Sequence, residues 1–236
     1  MTIFYIILLM VFSYLLGSIP FGLIIGKWFK KIDIREHGSK NVGSTNAVRV
    51  LGFKWGALTF LFDCFKGIFP IVLVKYIIGN EALYVINGID LSLDLIVIYG
   101  AAAVIGHIYP VYIGFKGGKA VATSVGVVIA ISPVIGVSGI ALFFIIVAIT
   151  KYASLASIIA TLSVGVAMWL DATIWHVWAK EGPNNNSLQY NIVNLILVSA
   201  LILMIIIKHR KNIVRLIKGT ENKFGSKKKN IEDKQD

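Results

Sequence analysis

The apolar positions of this 236-residue chain gather into seven long runs, at about 3–25, 55–78, 95–113, 120–131, 134–150, 153–170 and 190–207. Each approaches the length that a helix rising 1.5 Å per residue needs to cross roughly 30 Å of hydrocarbon. The pattern therefore predicts an all-α fold: a polytopic membrane bundle of seven transmembrane helices. The fourth run is short, and Ser132-Pro133 parts it from the fifth as a tight turn or a kink. Merging those two runs would leave six spans.

Charge chooses between these counts. Lys27, Lys30, Lys31, Arg35, Lys40, Arg49 and Lys54 follow the first run, against Asp33 and Glu36. Lys116 and Lys119 lie between the third and fourth runs, Lys151 between the fifth and sixth, and Lys208, Arg210, Lys211, Arg215 and Lys218 after the seventh. The opposite connections hold Glu81, Asp90, Asp94, Asp171 and Glu181 with Lys180. The positive-inside rule makes the basic set cytoplasmic. Seven spans then place the N-terminus outside and the C-terminus inside, with no connection forced to the wrong side.

Composition agrees with a bilayer solvent. The chain is 57% hydrophobic and only 15% charged, where a soluble domain is about half apolar and about a quarter charged. Its mean hydropathy is +0.80. The first run lacks the basic leader of a secretory signal, so it is expected to be a retained helix. Cys64 is the single cysteine, which excludes an intramolecular disulfide and a cysteine metal site. Residues 1–222 are expected to form one membrane domain. Residues 223–236 form a basic cytoplasmic tail with almost nothing apolar, expected to be disordered near anionic headgroups.

Three polar clusters share the basic face. The first, His37 to Gly52, packs Gly38, Ser39, Asn41, Gly43, Ser44, Thr45 and Asn46 ahead of Arg49. Glycines let backbone N–H groups approach a ligand, Ser, Thr and Asn add donors, and Arg49 offers a fork for phosphate. The plain alternative is a polar turn with Ser44 or Thr45 capping the next helix. The second cluster joins Gly106-His107-Ile108-Tyr109-Pro110 to Lys116-Gly117-Gly118-Lys119 just before a helix. That resembles an anion cradle, but its glycine spacing and Ala120 exclude a nucleotide P-loop. His107 is either a base or a structural residue. The third cluster places His209, Asn212 and, one turn on, Arg215 or Leu216 on one helical face, with Glu221 downstream; its alternative is a basic helix resting on headgroups. Within the second run, Asp63 and Lys66 stand three apart and can pair on one face.

Several chemistries are missing. No histidine is followed five positions on by aspartate: Val42, Tyr112, Val214 and Glu181 occupy those places. There is no Gly-x-Ser-x-Gly elbow and no cluster of cytoplasmic aspartates for Mg²⁺. No metal, cofactor or nucleic acid is expected. An enzyme with this inventory depends on an already activated substrate, positioning and charge stabilisation.

Taken together, Gly17-Ser18-Ile19-Pro20, Gly38-Ser39-x-Asn41-x-Gly43-x-Thr45-Asn46-x-x-Arg49, Gly106-His107-x-x-Pro110 with Phe115-Lys116-Gly117-Gly118-Lys119, and His209-Arg210-x-Asn212 resemble the bacterial acyl-phosphate–glycerol-3-phosphate acyltransferases, the PlsY family. The matches run in family order from about residue 15 to 221. The resemblance implies acyl transfer from acyl phosphate to the 1-hydroxyl of glycerol 3-phosphate, giving lysophosphatidic acid and phosphate in phospholipid biosynthesis. It implies a multi-pass protein of the bacterial cell membrane with a cytoplasmic active site, and a soluble acyl-phosphate-forming acyltransferase as a candidate partner beside membrane lipid. It assigns Ser39, Arg49, Lys119, His209 and Asn212 to catalysis. Asn41, Thr45, Asn46, Lys116, Gly117 and Gly118 then bind substrate phosphate, while Asp63, Lys66, His107 and Glu221 support. A substrate phosphate oxygen would take the hydroxyl proton. The chain departs from the family pattern at Lys40 and Ala120, where glycine is common; a Cβ at Ala120 is comfortable only if φ is negative there. The rival readings are an anion transporter, which calls for broken helices in related halves and midplane charges, and a membrane scaffold recruiting anionic partners.

Overall fold

The computed structural model describes residues 2–78, 96–175 and 187–224, and its regular structure there is helical throughout. The elements are α1 (Thr2–Gly17), α2 (Phe21–Lys30), α3 (Ser44–Leu51), α4 (Phe53–Ile78), α5 (Ile96–Ile108), a 3-10 turn (Val111–Ile113), α6 (Val121–Ile131), α7 (Pro133–Thr150), α8 (Ala153–Leu170) running into one π turn (Asp171–Trp175), α9 (Ser187–Lys208) and α10 (Arg210–Ile217).

All seven apolar runs carry helix, but not all are long. Phe53–Ile77, Ile96–Ile113, Pro133–Thr150 and Ala153–Trp175 are each long and apolar enough to cross a membrane. The first run is a pair, α1 and α2, bent by 41° at Ser18–Pro20, and counts as a fifth span if the pair is one. The sequence pattern marked it as one run, 3–25; Pro20 has no N–H to continue the ladder, and the chain turns there. At 11 residues α6 covers about 16 Å, near half of the hydrocarbon core. Ser132 serves as the C-cap of α6 and the N-cap of α7, with Pro133 opening α7, so the fourth and fifth runs are separate helices. Asp171 is buried at the end of α8 instead of lying in an open loop. Glu81, Asp90, Asp94, Lys180 and Glu181 lie outside the described residues, as does the tail beyond Phe224.

Glycines set the close crossings. α4 packs along α6 and α1 along α5. A Cβ at Gly67 would strike the Thr123 carbonyl, and one at Gly126 the Cys64 carbonyl; at Gly17 and Gly106 it would strike α5 and α1 backbone respectively. With little hydrophobic drive between helices in lipid, such small residues supply the van der Waals contact that holds a bundle. α3 and α10 are short helices at the ends of the long ones. They bring the polar clusters over the bundle.

Candidate active site

The first cluster is built around Asn46. Its Oδ1 accepts the Ser39 N–H at 2.8 Å, while its Nδ2 donates to the Ile34 and Asn41 carbonyls, both at 2.8 Å. Asn46 is 1% exposed, so the amide is spent on the loop itself. The sequence reading placed it among phosphate-binding groups; the geometry makes it the post that holds Ser39 and Asn41 in place. Asn41 Oδ1 accepts the Gly43 N–H at 2.8 Å. Gly43, not Ser44 or Thr45, is the N-cap of α3 and no side chain caps it. Among the described residues the Arg49 guanidinium has neither hydrogen bond nor ion pair. Burial pulls its pKa below the usual arginine value, with Glu221 opposing and Arg215 adding to the shift.

The second and third clusters meet directly. Lys119 Nζ donates to Asn212 Oδ1 at 2.6 Å, Asn212 Nδ2 to Glu221 Oε1 at 2.9 Å, and Arg215 Nε to Glu221 Oε2 at 2.7 Å. This row crosses from the loop before α6, through α10, to the segment after it. Burial, with the positive charges of Arg215 and Arg49, lowers the Lys119 ammonium to about 8 despite Glu221. His209, the N-cap of α10, is 2% exposed. Its Nδ1 sits 2.8 Å from the Ile205 carbonyl, which can only accept. Nδ1 therefore carries the hydrogen, and Nε2 keeps a free lone pair. Burial and the neighbouring Lys119 pull this imidazole down to about 4, so it is neutral at pH 7.

The glycine pair has a different use from the one expected. The Gly118 N–H already donates to the His107 carbonyl at 3.1 Å, so it is not a free anion donor. A Cβ at Gly118 would collide with the His107 ring, and one at Gly117 with the His107 carbonyl. Lys116 is exposed, and neither it nor the two glycines line the cavity described below. Ala120 holds φ +60°, as does Lys40. The condition for a comfortable Cβ at Ala120 is not met: its backbone keeps the left-handed turn that glycine adopts freely. Beneath this loop, His107 Nδ1 lies 3.2 Å from Thr123 Oγ1 and 3.5 Å from Asp63 Oδ1. Lys66 pairs with Asp63 at 2.9 Å and donates to the Ile19 carbonyl at 2.9 Å. The anticipated i, i+3 pair thus exists, buried, and supports the loop through His107.

One cavity of about 280 Å³ gathers Ser39, Asn41, Thr45, Asn46, Arg49, Lys119, His209, Asn212 and Glu221, with Asp63 and His107 at its floor. From this polar mouth it continues between α6, α7, α8 and α9 along apolar walls such as Ile140, Val164, Leu201 and Ile202. Among the residues that sequence reasoning did not single out, Ser154, Ser157 and Phe224 stand out. Ser154 and Ser157, near the start of α8, line it, and the buried Ser154 hydroxyl has no partner among the described residues. Phe224 lines it too. A lone aromatic in a polar tail was the only available signal. The combination, cations at one end and hydrocarbon walls at the other, suits an amphiphile with an anionic head.

Comparison with known proteins agrees with this geometry. The family model of glycerol-3-phosphate acyltransferase matches residues 7–219. A glycerol-3-phosphate acyltransferase of Acholeplasma laidlawii is 54% identical over 228 residues, 97% of each chain. One from Staphylococcus saprophyticus is 40% identical over 225 residues, 93% of this chain and 98% of that one. The crystal structure of PlsY (YgiH), an integral membrane glycerol 3-phosphate acyltransferase, in its glycerol 3-phosphate form superposes with a TM-score of 0.75 at 37% identity, covering 94% of this chain and 96% of the other. Its lysophosphatidic acid form gives 0.74 with the same identity and coverage. A likeness that runs nearly end to end, with the amphiphilic cavity inside it, makes this chain a multi-pass membrane acyltransferase belonging to the glycerol-3-phosphate acyltransferase (PlsY) family.

Proposed function

We propose that the chain transfers a fatty acyl group from acyl phosphate to the 1-hydroxyl of sn-glycerol 3-phosphate, releasing lysophosphatidic acid and inorganic phosphate. The observation that carries this reading is the Arg49 guanidinium, without a hydrogen-bond or ion-pair partner among the described residues. It shares with Lys119 the polar end of a cavity whose far walls, between α6, α7, α8 and α9, are mostly apolar. Two cations suit substrate phosphate, and the walls of α6–α9 suit an acyl chain. In this scheme Arg49, Lys119 and Ser39 hold glycerol phosphate, while Asn212 and His209 Nε2 orient it. The 1-hydroxyl oxygen attacks the acyl carbonyl carbon, the bond from that carbon to the phosphate oxygen breaks, and phosphate leaves with the electron pair. A phosphate oxygen takes the hydroxyl proton. With its pKa pulled down to about 4, His209 is a weaker base than a substrate phosphate with a second pKa of about 6, so that role falls to the substrate, and a mixed anhydride needs no stronger base.

Seven crossings, with the N-terminus outside and the site on the cytoplasmic face, are the topology we propose. The charge pattern supports it, since Arg49 and Lys119 line one end of the cavity and Arg215 pairs with the lining Glu221, beside the other basic connections. That face would meet a soluble acyl-phosphate-forming acyltransferase. The test is acyl transfer by purified protein in detergent with glycerol 3-phosphate and either acyl phosphate or acyl-CoA, run beside Arg49→Ala. Product from acyl phosphate alone, lost in the variant, is expected. Equal product from acyl-CoA would overturn the donor assignment.

A further inference from the structure

The segment after α10 is tied down at both ends. Gly219 (φ +66°) turns the chain, and the Thr220 N–H returns to the Arg215 carbonyl at 2.8 Å. Glu221 then joins the site through Asn212 and Arg215. Three residues later the Phe224 N–H donates to the Lys151 carbonyl at 2.6 Å, at the left-handed turn between α7 and α8. The Phe224 ring packs on Val147, Ala153 and Ala156, with Phe143 and Ile146 beside it, and lines the same cavity as Arg49 and Lys119. So this strap bridges the cavity from α10 to the α7–α8 turn. It begins where the family match ends, at residue 219.

We infer that Phe224 is a positioning residue that keeps water from the activated acyl group, and so sets the ratio of acyl transfer to hydrolysis. The inference rests on the acyl-phosphate reading above. An acyl phosphate is attacked by any oxygen nucleophile that reaches its carbonyl carbon. When water attacks, the bond from that carbon to the phosphate oxygen breaks, phosphate leaves with the electron pair and takes the water proton, and the product is free fatty acid. The Phe224 ring packs on the cluster of Val147, Ala153 and Ala156 at the end of α7 and the start of α8, and covers apolar wall of the cavity that would otherwise face the cytoplasmic side. Closing a site against water is a recognised way to suppress such side reactions. The same strap carries Glu221, which couples closure of the acyl side to the Asn212–Lys119 hydrogen bond.

The experiment uses the full chain in detergent micelles with acyl-labelled acyl phosphate and saturating glycerol 3-phosphate, counting free fatty acid and lysophosphatidic acid after subtracting protein-free release. Phe224→Ala is expected to raise the acid-to-product ratio by about tenfold, and Phe224→Leu, which keeps an apolar plug, to return it to within about twofold of wild type. Thermal unfolding of each variant separates a leaking site from a damaged fold. An unchanged ratio in Phe224→Ala, with a wild type that makes lysophosphatidic acid, overturns this inference alone. A wild type that makes none from acyl phosphate overturns the donor reading and this inference with it.

Discussion

Lys119 is the group whose titration the site makes readable. An ordinary lysine keeps its proton to about 10.4; here burial, Arg215 and Arg49 lower it to about 8, with Glu221 opposing. Only the ammonium can hold a phosphate dianion. In the free enzyme about nine-tenths of Lys119 is charged at pH 7 and about one-tenth at pH 9, so kcat/KM for glycerol 3-phosphate is expected to fall about tenfold across that interval. Bound phosphate favours the charged form, so the corresponding limb in kcat lies at higher pH. Stability moves the other way. The folded pKa is below the unfolded one, so between about 8 and 10.4 the unfolded chain holds more protons, and folding stability rises with pH there by on the order of 1–3 kcal/mol. The assay is a pH series of kcat/KM run beside thermal unfolding in the same micelles. Lys119→Arg keeps its charge throughout and should lose the alkaline limb, whatever its absolute rate. An identical limb in that variant, or no wild-type limb below pH 10, would refute the assignment.

His209→Asn should retain an acidic limb near pH 6, because that limb reports substrate phosphate, with a second pKa of about 6, and not an imidazole already neutral; pH–rate profiles of the two proteins decide it, and loss of the limb would make His209 the base. Asp63→Ala strands the buried Lys66 ammonium and should cost about 3–5 kcal/mol, part of which the double variant with Lys66→Met recovers; unfolding midpoints in micelles measure the cycle. Lys40 and Ala120 separate two effects. A left-handed non-glycine residue costs about 1–2 kcal/mol, while glycine adds about 0.4–1 kcal/mol of unfolded-state entropy. Exposed Lys40→Gly should therefore stabilise by up to about 1 kcal/mol, whereas Ala120→Gly also gives up a buried methyl worth about 0.8 kcal/mol and should be near neutral.

What the sequence made legible was whatever depends on composition along a helix. The apolar runs became helices, Asp63 and Lys66 found one another at i, i+3, and His209 and Asn212 share the cavity face of α10. That Lys119, Asn212 and Glu221 would touch was legible only as three polar clusters on one side of the membrane. Their distances depend on α4–α6 and α1–α5 crossings set by glycines whose partners lie far away in the chain. Asn46 and Gly118 show why local chemistry misleads. An amide and a glycine beside a cation look like phosphate ligands, yet backbone groups of their own loops and the His107 ring claim them first. The bend at Ser18–Pro20 was hidden because hydropathy averages across it. Phe224 was hidden because one aromatic cannot lift the average of a polar tail.

The bend has a genetic consequence. By breaking between α1 and α2 the chain turns the Ile19 carbonyl toward α4, where it receives Lys66, 47 residues away. The acceptor is main chain, so no side-chain substitution at position 19 can delete it; only straightening the helix can. A new side chain at position 19 leaves this acceptor in place, whereas replacing Pro20 with a helix former, which lets the helix straighten, is expected to deprive Lys66 of it. The tie between the α1–α2 bend and α4 is thus encoded at two positions, Pro20 for the bend and Lys66 for the donor that uses it.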